Sequence, residues 1–395
     1  MTDWHELERK YYMQLIVRIP LTLVKGEGAR VWDDKGREYL DFVGGLAVNS
    51  LGHCPPVLTE AVTGQVHSLV QTSNWFYTVP QIQLAQLLVE NSCLDKVFLC
   101  NSGLEANEGA VKLARRYGKL KLNGAYEVIT TINSFHGCSL AMTAASGQPK
   151  FQEPYIPLPA GFTNVSFNDI EAIMSATKEE TCAVMLELIQ GEGGANVPDG
   201  DYFMKVRKWC DQKGILLILD EIQTGVCRLG SLFGYELYGV EPDILTLAKG
   251  LGSGMPIGAL LAKERAVVFA VGDHGSTFGG NLVTCTAAYA VLKYIIDNDI
   301  AANVRKVGQY LLDGMRGLQD KYSFITDVRG RGLLLAMEFH SDMAQDILIS
   351  CLEKGLLVNR VKPNAVRLIP PLIIGNAEVD RALGILDKAI TGIVS

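Results

Sequence analysis

Between residues 96 and 262, short β-rich apolar runs alternate with stretches of helical periodicity, which leaves few architectures open to the chain. KVFLC (96–100) is followed by the helical LEANEGAVKLARRYGK. AYEVITTI (125–132) and CAVMLEL (182–188) come next, then a helical YFMKVRKWCDQKG (202–214). ILLILD (215–220), DILTLAK (243–249) and PIGALLA (256–262) complete the series. Apolar strands separated by helices are buried on both faces, which predicts a mostly parallel α/β sheet. This large domain is expected over residues 51–285. Residues 286–395 carry two helical patterns, RGRGLLLAMEF and a closing helix, and read as a smaller α+β domain. Residues 1–50 form an arm that could join either domain, with DDKG as a hairpin turn between two strands.

The totals exclude several classes. A net charge of −7, mixed in sign along the chain, argues against a nucleic-acid binder, which needs a basic stripe. No apolar run approaches the ~20 residues of a membrane span, and the start, MTDWHELERKYY, lacks an apolar signal core. Nine cysteines are odd in number, scattered and never spaced as CxxC, and the six histidines show no ligand spacing. Disulfides and metal sites are therefore not expected, and a reducing cytoplasm is.

The chemistry concentrates where two strands end. ILLIL runs into Asp220, and DILTLA runs into Lys249, followed by Gly250, Gly252 and Gly254. Ligands of parallel α/β sheets bind beyond the carboxyl ends of the strands. In the plainer reading Asp220 caps the next segment and Lys249 points to solvent. Against it, a carboxylate after a buried run needs a cationic partner, and glycines let backbone approach a ligand closely. No GxxxxGK[ST] loop is present, and Pro256 interrupts any dinucleotide fingerprint. A lysine paired with a carboxylate suits pyridoxal 5'-phosphate: the amine condenses with the aldehyde, and the carboxylate keeps the pyridine nitrogen protonated.

Such a cofactor needs a phosphate site, and CNSGLEANEGAVKLAR (100–115) offers one. A strand runs through Ser102, Gly103 and Leu104 into a helix, whose free N–H groups and dipole favour an anion. Ser102 and Glu105 also have the spacing of a plain capping box, so both readings stand at this point.

Taken together, LDEIQTG…R-G, LAKGLGSGMPIGA, the N-terminal RIPLTLVKGEGARVWDDKGREYLDFVGGLAVNSLGHC, TSNWFYT, NSGLEANEGAVKLARRYG and SFHG resemble the class III aminotransferases of fold-type I, in their acetylornithine branch. The similarity covers nearly the whole chain, in order. It implies transamination between an ω-amino donor and 2-oxoglutarate, in arginine biosynthesis, with pyridoxal 5'-phosphate as cofactor. It implies Lys249 as the Schiff-base lysine and proton shuttle, Asp220 at the ring nitrogen, Gln223 near the ring hydroxyl and Phe135 on the ring face. Ser102, Gly103 and Leu104 would bind the phosphate. Thr277 would reach the phosphate of a neighbouring subunit, with Ser276 near the substrate, so that a homodimer shares its active sites. Glu192 and Arg367 would form the pair that handles the α-carboxylate of glutamate.

Four positions depart from the family pattern: Leu104 where a smaller residue is common, Pro55 in place of a histidine, and two polar handles. Cys138 stands where relatives carry an arginine in FHGRT, and Ile16 stands where they carry a tyrosine. Two polar substrate handles are thereby lost, which points to a donor less anionic or more apolar than acetylornithine, unless a nearby cation such as Arg18 or Lys150 is recruited. Other chemistries of the same scaffold (racemase, aminomutase, decarboxylase) and a binding protein without catalysis are the alternatives.

Overall fold

The computed structural model describes residues 3–394. Among these, the strands form three sheets. Near the start, β1 (Leu23–Glu27), β2 (Arg30–Asp33) and β3 (Glu38–Asp41) make an antiparallel meander, with the turn between β2 and β3 at DDKG. The large sheet contains β4 (Lys96–Cys100), β5 (Glu127–Thr131), β6 (Phe162–Val165), β7 (Thr181–Glu187), β8 (Leu216–Asp220), β9 (Ile244–Leu247) and β10 (Gly258–Ala262). Its spatial order is β4-β10-β9-β8-β7-β5-β6. The third sheet follows from β11 (Ile325–Arg331), β12 (Leu334–Phe339), β14 (Asn359–Lys362) and β15 (Ala365–Leu368), while the short β13 (Leu356–Leu357) leaves it to pair in parallel with β3. The N-terminal arm therefore joins the C-terminal part of the chain.

The large sheet is parallel from β9 through β6, as the apolar runs predict. PIGALLA is the exception: β10 runs antiparallel to both β9 and β4. The reading of the sequence passed over β6, whose four residues are only half-buried at the sheet edge. By contrast every residue of β7 and β8 is buried. Their side chains alternate between two apolar layers, as the pleat requires. Leu217 and Leu219 enter one cluster, and Leu216 and Ile218 enter the other with Ala110 and Ala114. Each such leucine removed from water is worth about 2 kcal/mol.

Helices seal the faces and aim at the site. The helix Gly103–Lys121 starts at Ser102, whose hydroxyl accepts the N–H of Glu105 at 3.2 Å. Its buried residues Asn107, Ala110 and Ala114 lie against the sheet. The helix Tyr202–Lys213 stops at Gly214, which takes the left-handed conformation (φ 70°) that an L side chain resists. The helix Leu282–Asp297 spans position 285/286 and packs on the helices Pro56–Ser68 and Val79–Glu90. Arg228, fully buried, donates from Nη1 to the carbonyls of Leu333 (3.0 Å) and Pro370 (2.5 Å). It ties the segment after β8 to the sheet that carries Arg367. No helix of the described residues is long and apolar enough to cross a membrane.

Candidate active site

Three neighbouring strands end in charged groups at one carboxyl edge. Glu187 closes β7, Asp220 closes β8 directly opposite it, and Lys249 stands two residues beyond β9. The turn from β4 into its helix supplies Ser102–Leu104, and the segment after β5 supplies Phe135, His136 and Cys138. All of these, with Gln223 and Glu192, line one cavity of about 450 Å³.

Asp220 is 4% exposed, and its carboxylate is held by three donors. Oδ2 accepts from Asn107 Nδ2 and from His136 Nδ1, each at 2.8 Å, and Oδ1 accepts the N–H of Ile222 at 3.0 Å. Asn107 is itself fixed: its Oδ1 accepts the Thr246 hydroxyl at 2.7 Å, and its Nδ2 also reaches the His136 carbonyl at 2.8 Å. Burial works against a charge on His136, but the hydrogen bond and charge of Asp220, with Glu187 behind, raise its pKa above the ordinary value. A carboxylate so oriented fits a protonated ring nitrogen.

Lys249 sits at φ 42°, a conformation rare outside glycine and found where function imposes strain. Burial lowers its pKa below the ordinary lysine value; Arg367 pushes the same way, while Glu192, Asp220 and Glu187 oppose. A lysine with a depressed pKa carries more of the free amine that attacks a carbonyl. Gly250 follows because nothing larger fits: a Cβ there would stand 2.5 Å from Ser50 Oγ.

The phosphate turn fits an anion. Ser102 caps the helix, whereas Glu105 accepts the N–H of Asn101 at 3.0 Å and not that of Ser102, so the capping box of the sequence is formed on the Ser102 side only. Ser102, Gly103 and Leu104 nevertheless face the cavity at the positive end of a 19-residue helix. A Cβ on Gly103 would meet Ile222 Cδ1 at 2.6 Å, so only glycine allows the turn to lie this close to the loop after Asp220. Lysine, carboxylate and helix terminus thus supply the three kinds of partner that pyridoxal phosphate needs.

Arg367, on β15, is fully buried, and each of its guanidinium nitrogens is hydrogen-bonded. Nη1 donates to Glu192 Oε1 (2.8 Å), the Gly191 carbonyl (2.8 Å) and Gln223 Oε1 (3.1 Å). Nε and Nη2 both donate to Asn359 Oδ1, at 3.1 and 2.7 Å. Burial pushes the Glu192 carboxyl up, but Arg367 and Lys249 outweigh it and hold it below the ordinary carboxylate range.

Three of the sequence-derived residues lie elsewhere in this chain. Ser276 and Thr277 line a separate cleft of about 890 Å³ with Gln71, Asn74 and Trp75. Asn101, which lines the first cavity, donates from Nδ2 to Ser276 Oγ at 3.0 Å. Ile16 is 71% exposed on the N-terminal segment and does not line the cavity. Arg18 is paired with Glu8 at 2.8 Å and Lys150 lies over the Phe151 ring, so neither cation lines the cavity. Sequence reasoning gave no role to Glu187, His136, Asn107 or Asn359. His136 was signalled by its place next to Phe135, and Asn107 by lying one turn past Ser102–Gly103 on the buried face of the helix.

Comparison with known proteins fits this geometry. The family model for aminotransferase class-III matches residues 11–390. A curated acetylornithine aminotransferase from Caldanaerobacter subterraneus subsp. tengcongensis is 51% identical over 387 residues, 98% of each chain. A crystal structure of ornithine aminotransferase from Toxoplasma gondii superposes with a TM-score of 0.96 at 34% identity, covering 99% of this chain and 95% of that one. An N-acetylornithine aminotransferase structure from Stenotrophomonas maltophilia gives a TM-score of 0.85 at 37% identity, covering 98% and 99%. With a lysine, a carboxylate and a helix terminus converging as that chemistry requires, the chain belongs to the class-III aminotransferases.

Proposed function

We propose that this aminotransferase moves an amino group between an ω-amine of the N-acetylornithine type and the pair 2-oxoglutarate/glutamate. Pyridoxal phosphate, the cofactor of the class, supplies an aldehyde and an electron-withdrawing ring when bound. The observation that carries the reading is the convergence of Lys249 and Asp220 on one cavity.

Each residue then has a task. Lys249 would act as the base and then the acid that moves a proton from the substrate carbon bearing the amine to the cofactor carbon two bonds away. Asp220, held by Asn107 and His136, keeps the ring nitrogen protonated. Phe135 would cover the ring, Gln223 would lie near its hydroxyl, and Ser102, Gly103 and Leu104 would hold the phosphate. Arg367 grips the α-carboxylate of glutamate once Glu192 has been displaced from it. With a donor that lacks this carboxylate, Glu192 stays on Arg367, so no bare guanidinium faces an uncharged chain.

Apart from its three carboxylates, the cavity is lined mainly by uncharged side chains, Val48, Cys138, Met255 and Ile257 among them, and its lining cations among the described residues are His136 and Lys249. This supports a donor whose far end is neutral or apolar. The cleft around Ser276 and Thr277, beside the exposed Trp75 (91%), Tyr77 (98%) and Phe278 (61%), supports a second copy of the chain completing the site. All nine cysteines are free, which suits a reducing cytoplasm.

The test is a 2-oxoglutarate-dependent assay with N-acetylornithine and with monoacylated diamines that lack a carboxylate. The acylated diamines are expected to match or exceed N-acetylornithine in kcat/KM. Turnover without any 2-oxo acid refutes transamination in favour of an isomerase. Clearly faster turnover of N-acetylornithine, unchanged by Cys138→Ala, refutes the neutral donor end.

A further inference from the structure

Glu187 is 6% exposed, lines the cavity and has no task in the scheme above. Its two oxygens hold two different parts of the site. Oε2 accepts the N–H of Phe135 at 3.1 Å, and Oε1 accepts the N–H of Gly191 at 3.3 Å. Phe135 belongs to the ring seat. Gly191 precedes Glu192 and gives its carbonyl to Arg367.

We propose that Glu187 is the positioning residue that couples the cofactor's ring seat to the Glu192–Arg367 gate, and that it works as the neutral carboxylic acid. The proposal rests on the functional reading above. Glu187 and Asp220 face each other across adjacent strands, both buried, so two full negative charges compete for one small volume. Asp220 has three donors at 2.8 to 3.0 Å, two of them side chains. Glu187 has only two longer backbone donors, so of the two carboxyls it is the one less able to stay ionised. Burial and Asp220 push the Glu187 carboxyl up to about 7, against His136, the Phe135 N–H and Lys249.

The charged groups facing Glu187 are His136 from the segment after β5, Asp220 from β8 and Lys249 from beyond β9; Glu192 and Arg367 stand behind. As the neutral acid, Glu187 leaves Asp220 as the one full charge against the ring nitrogen and offers the cavity a donor. Once ionised, it favours the ammonium form of Lys249, which cannot attack a carbonyl. His136 Nε2 is buried with no partner among the described residues, so the imidazole cannot neutralise that second charge through a hydrogen bond already in place.

The test compares wild type with Glu187→Gln, which is neutral at every pH and keeps an acceptor. Infrared titration of cofactor-free protein should show a protonated-carboxyl band that fades near pH 7 and is missing in Glu187→Gln. Glu221, the other buried carboxyl pushed well up, to about 8, is separated by running Glu221→Gln, which must keep the band. In a second arm, the ratio of the wild-type dissociation constant for pyridoxal phosphate to that of Glu187→Gln should rise at least fivefold from pH 6 to 8.5. A band fading near pH 7 that survives in Glu187→Gln once Glu221 is also replaced by Gln, or the same pH dependence of cofactor affinity in both proteins, overturns the proposal. If Glu187→Gln does not fold, absence of a band fading near pH 7 in Glu221→Gln overturns it equally. The infrared arm needs no cofactor, so failure to take up pyridoxal phosphate counts against the functional reading and leaves the Glu187 arm to give its own answer.

Discussion

Replacing Glu192 by glutamine should open the Arg367 gate. In the structure Arg367 is fully buried and meets Glu192 at 2.8 Å, while the Glu192 side chain is 33% exposed. Any substrate carboxylate must first break this pair. Two unit charges about 4 Å apart at an effective dielectric of ~20 attract by roughly 4 kcal/mol. Gln223 and Asn359 remain bonded to the guanidinium and offset part of that when Glu192 leaves. A net barrier of about 1.5–3 kcal/mol remains, so Glu192→Gln should tighten 2-oxoglutarate binding by roughly 10- to 150-fold. The donor half-reaction should slow, because Arg367 then faces an uncharged donor without its anion. The assay is KM for 2-oxoglutarate beside kcat/KM for the donor, from full ping-pong kinetics. Arg367 and Lys249 hold the Glu192 carboxyl below its ordinary value of 4.5, so the pair persists throughout the neutral range and is lost only as pH falls through that lowered value. An unchanged or higher KM for 2-oxoglutarate in a folded Glu192→Gln protein refutes the gate.

Three further outcomes follow from the same geometry. Asp220→Asn keeps the shape but removes the charge at the ring nitrogen; kcat should fall by about 10²–10³ with little change in KM, read by steady-state kinetics. Gly103→Ala forces a Cβ to within 2.6 Å of Ile222 Cδ1, so the phosphate turn shifts and pyridoxal phosphate affinity drops by about 10-fold or more, measured by equilibrium titration. Glu221 accepts the N–H groups of Gly234 and Tyr235 and is pushed by burial to about 8 from 4.5. Its protonated form is favoured in the folded state, so wild type should lose stability as pH rises from 4.5 to 8, and Glu221→Gln should flatten that slope in Tm.

The legible part of this molecule is the part whose signal is local. β7 and β8 are buried on both sides, so their apolar runs stand out, and the charged residues that end β8 and follow β9, Asp220 and Lys249, mark the site edge. β6 gave no such run because an edge strand of four half-buried residues is not apolar enough. The direction of β10 depends on where the chain turns after Lys249, which propensity does not encode. Glu187 escaped notice for a related reason: only the register beside Asp220 turns a strand-ending glutamate into a buried acid. The cavity alone does not gather Ser276, Thr277 and Ile16, and a single sequence carries no mark of what lies across an interface.

The reversed strand β10 has a consequence for how the site can evolve. Its antiparallel course carries the chain from Lys249 back to the turn at Ser102, where a Cβ on Gly258 would lie 2.3 Å from the Ser102 carbonyl. The eight residues from 250 to 257 therefore act as a ruler whose two ends are the reactive amine and the anion seat. Adding or deleting one residue there would change the span between them.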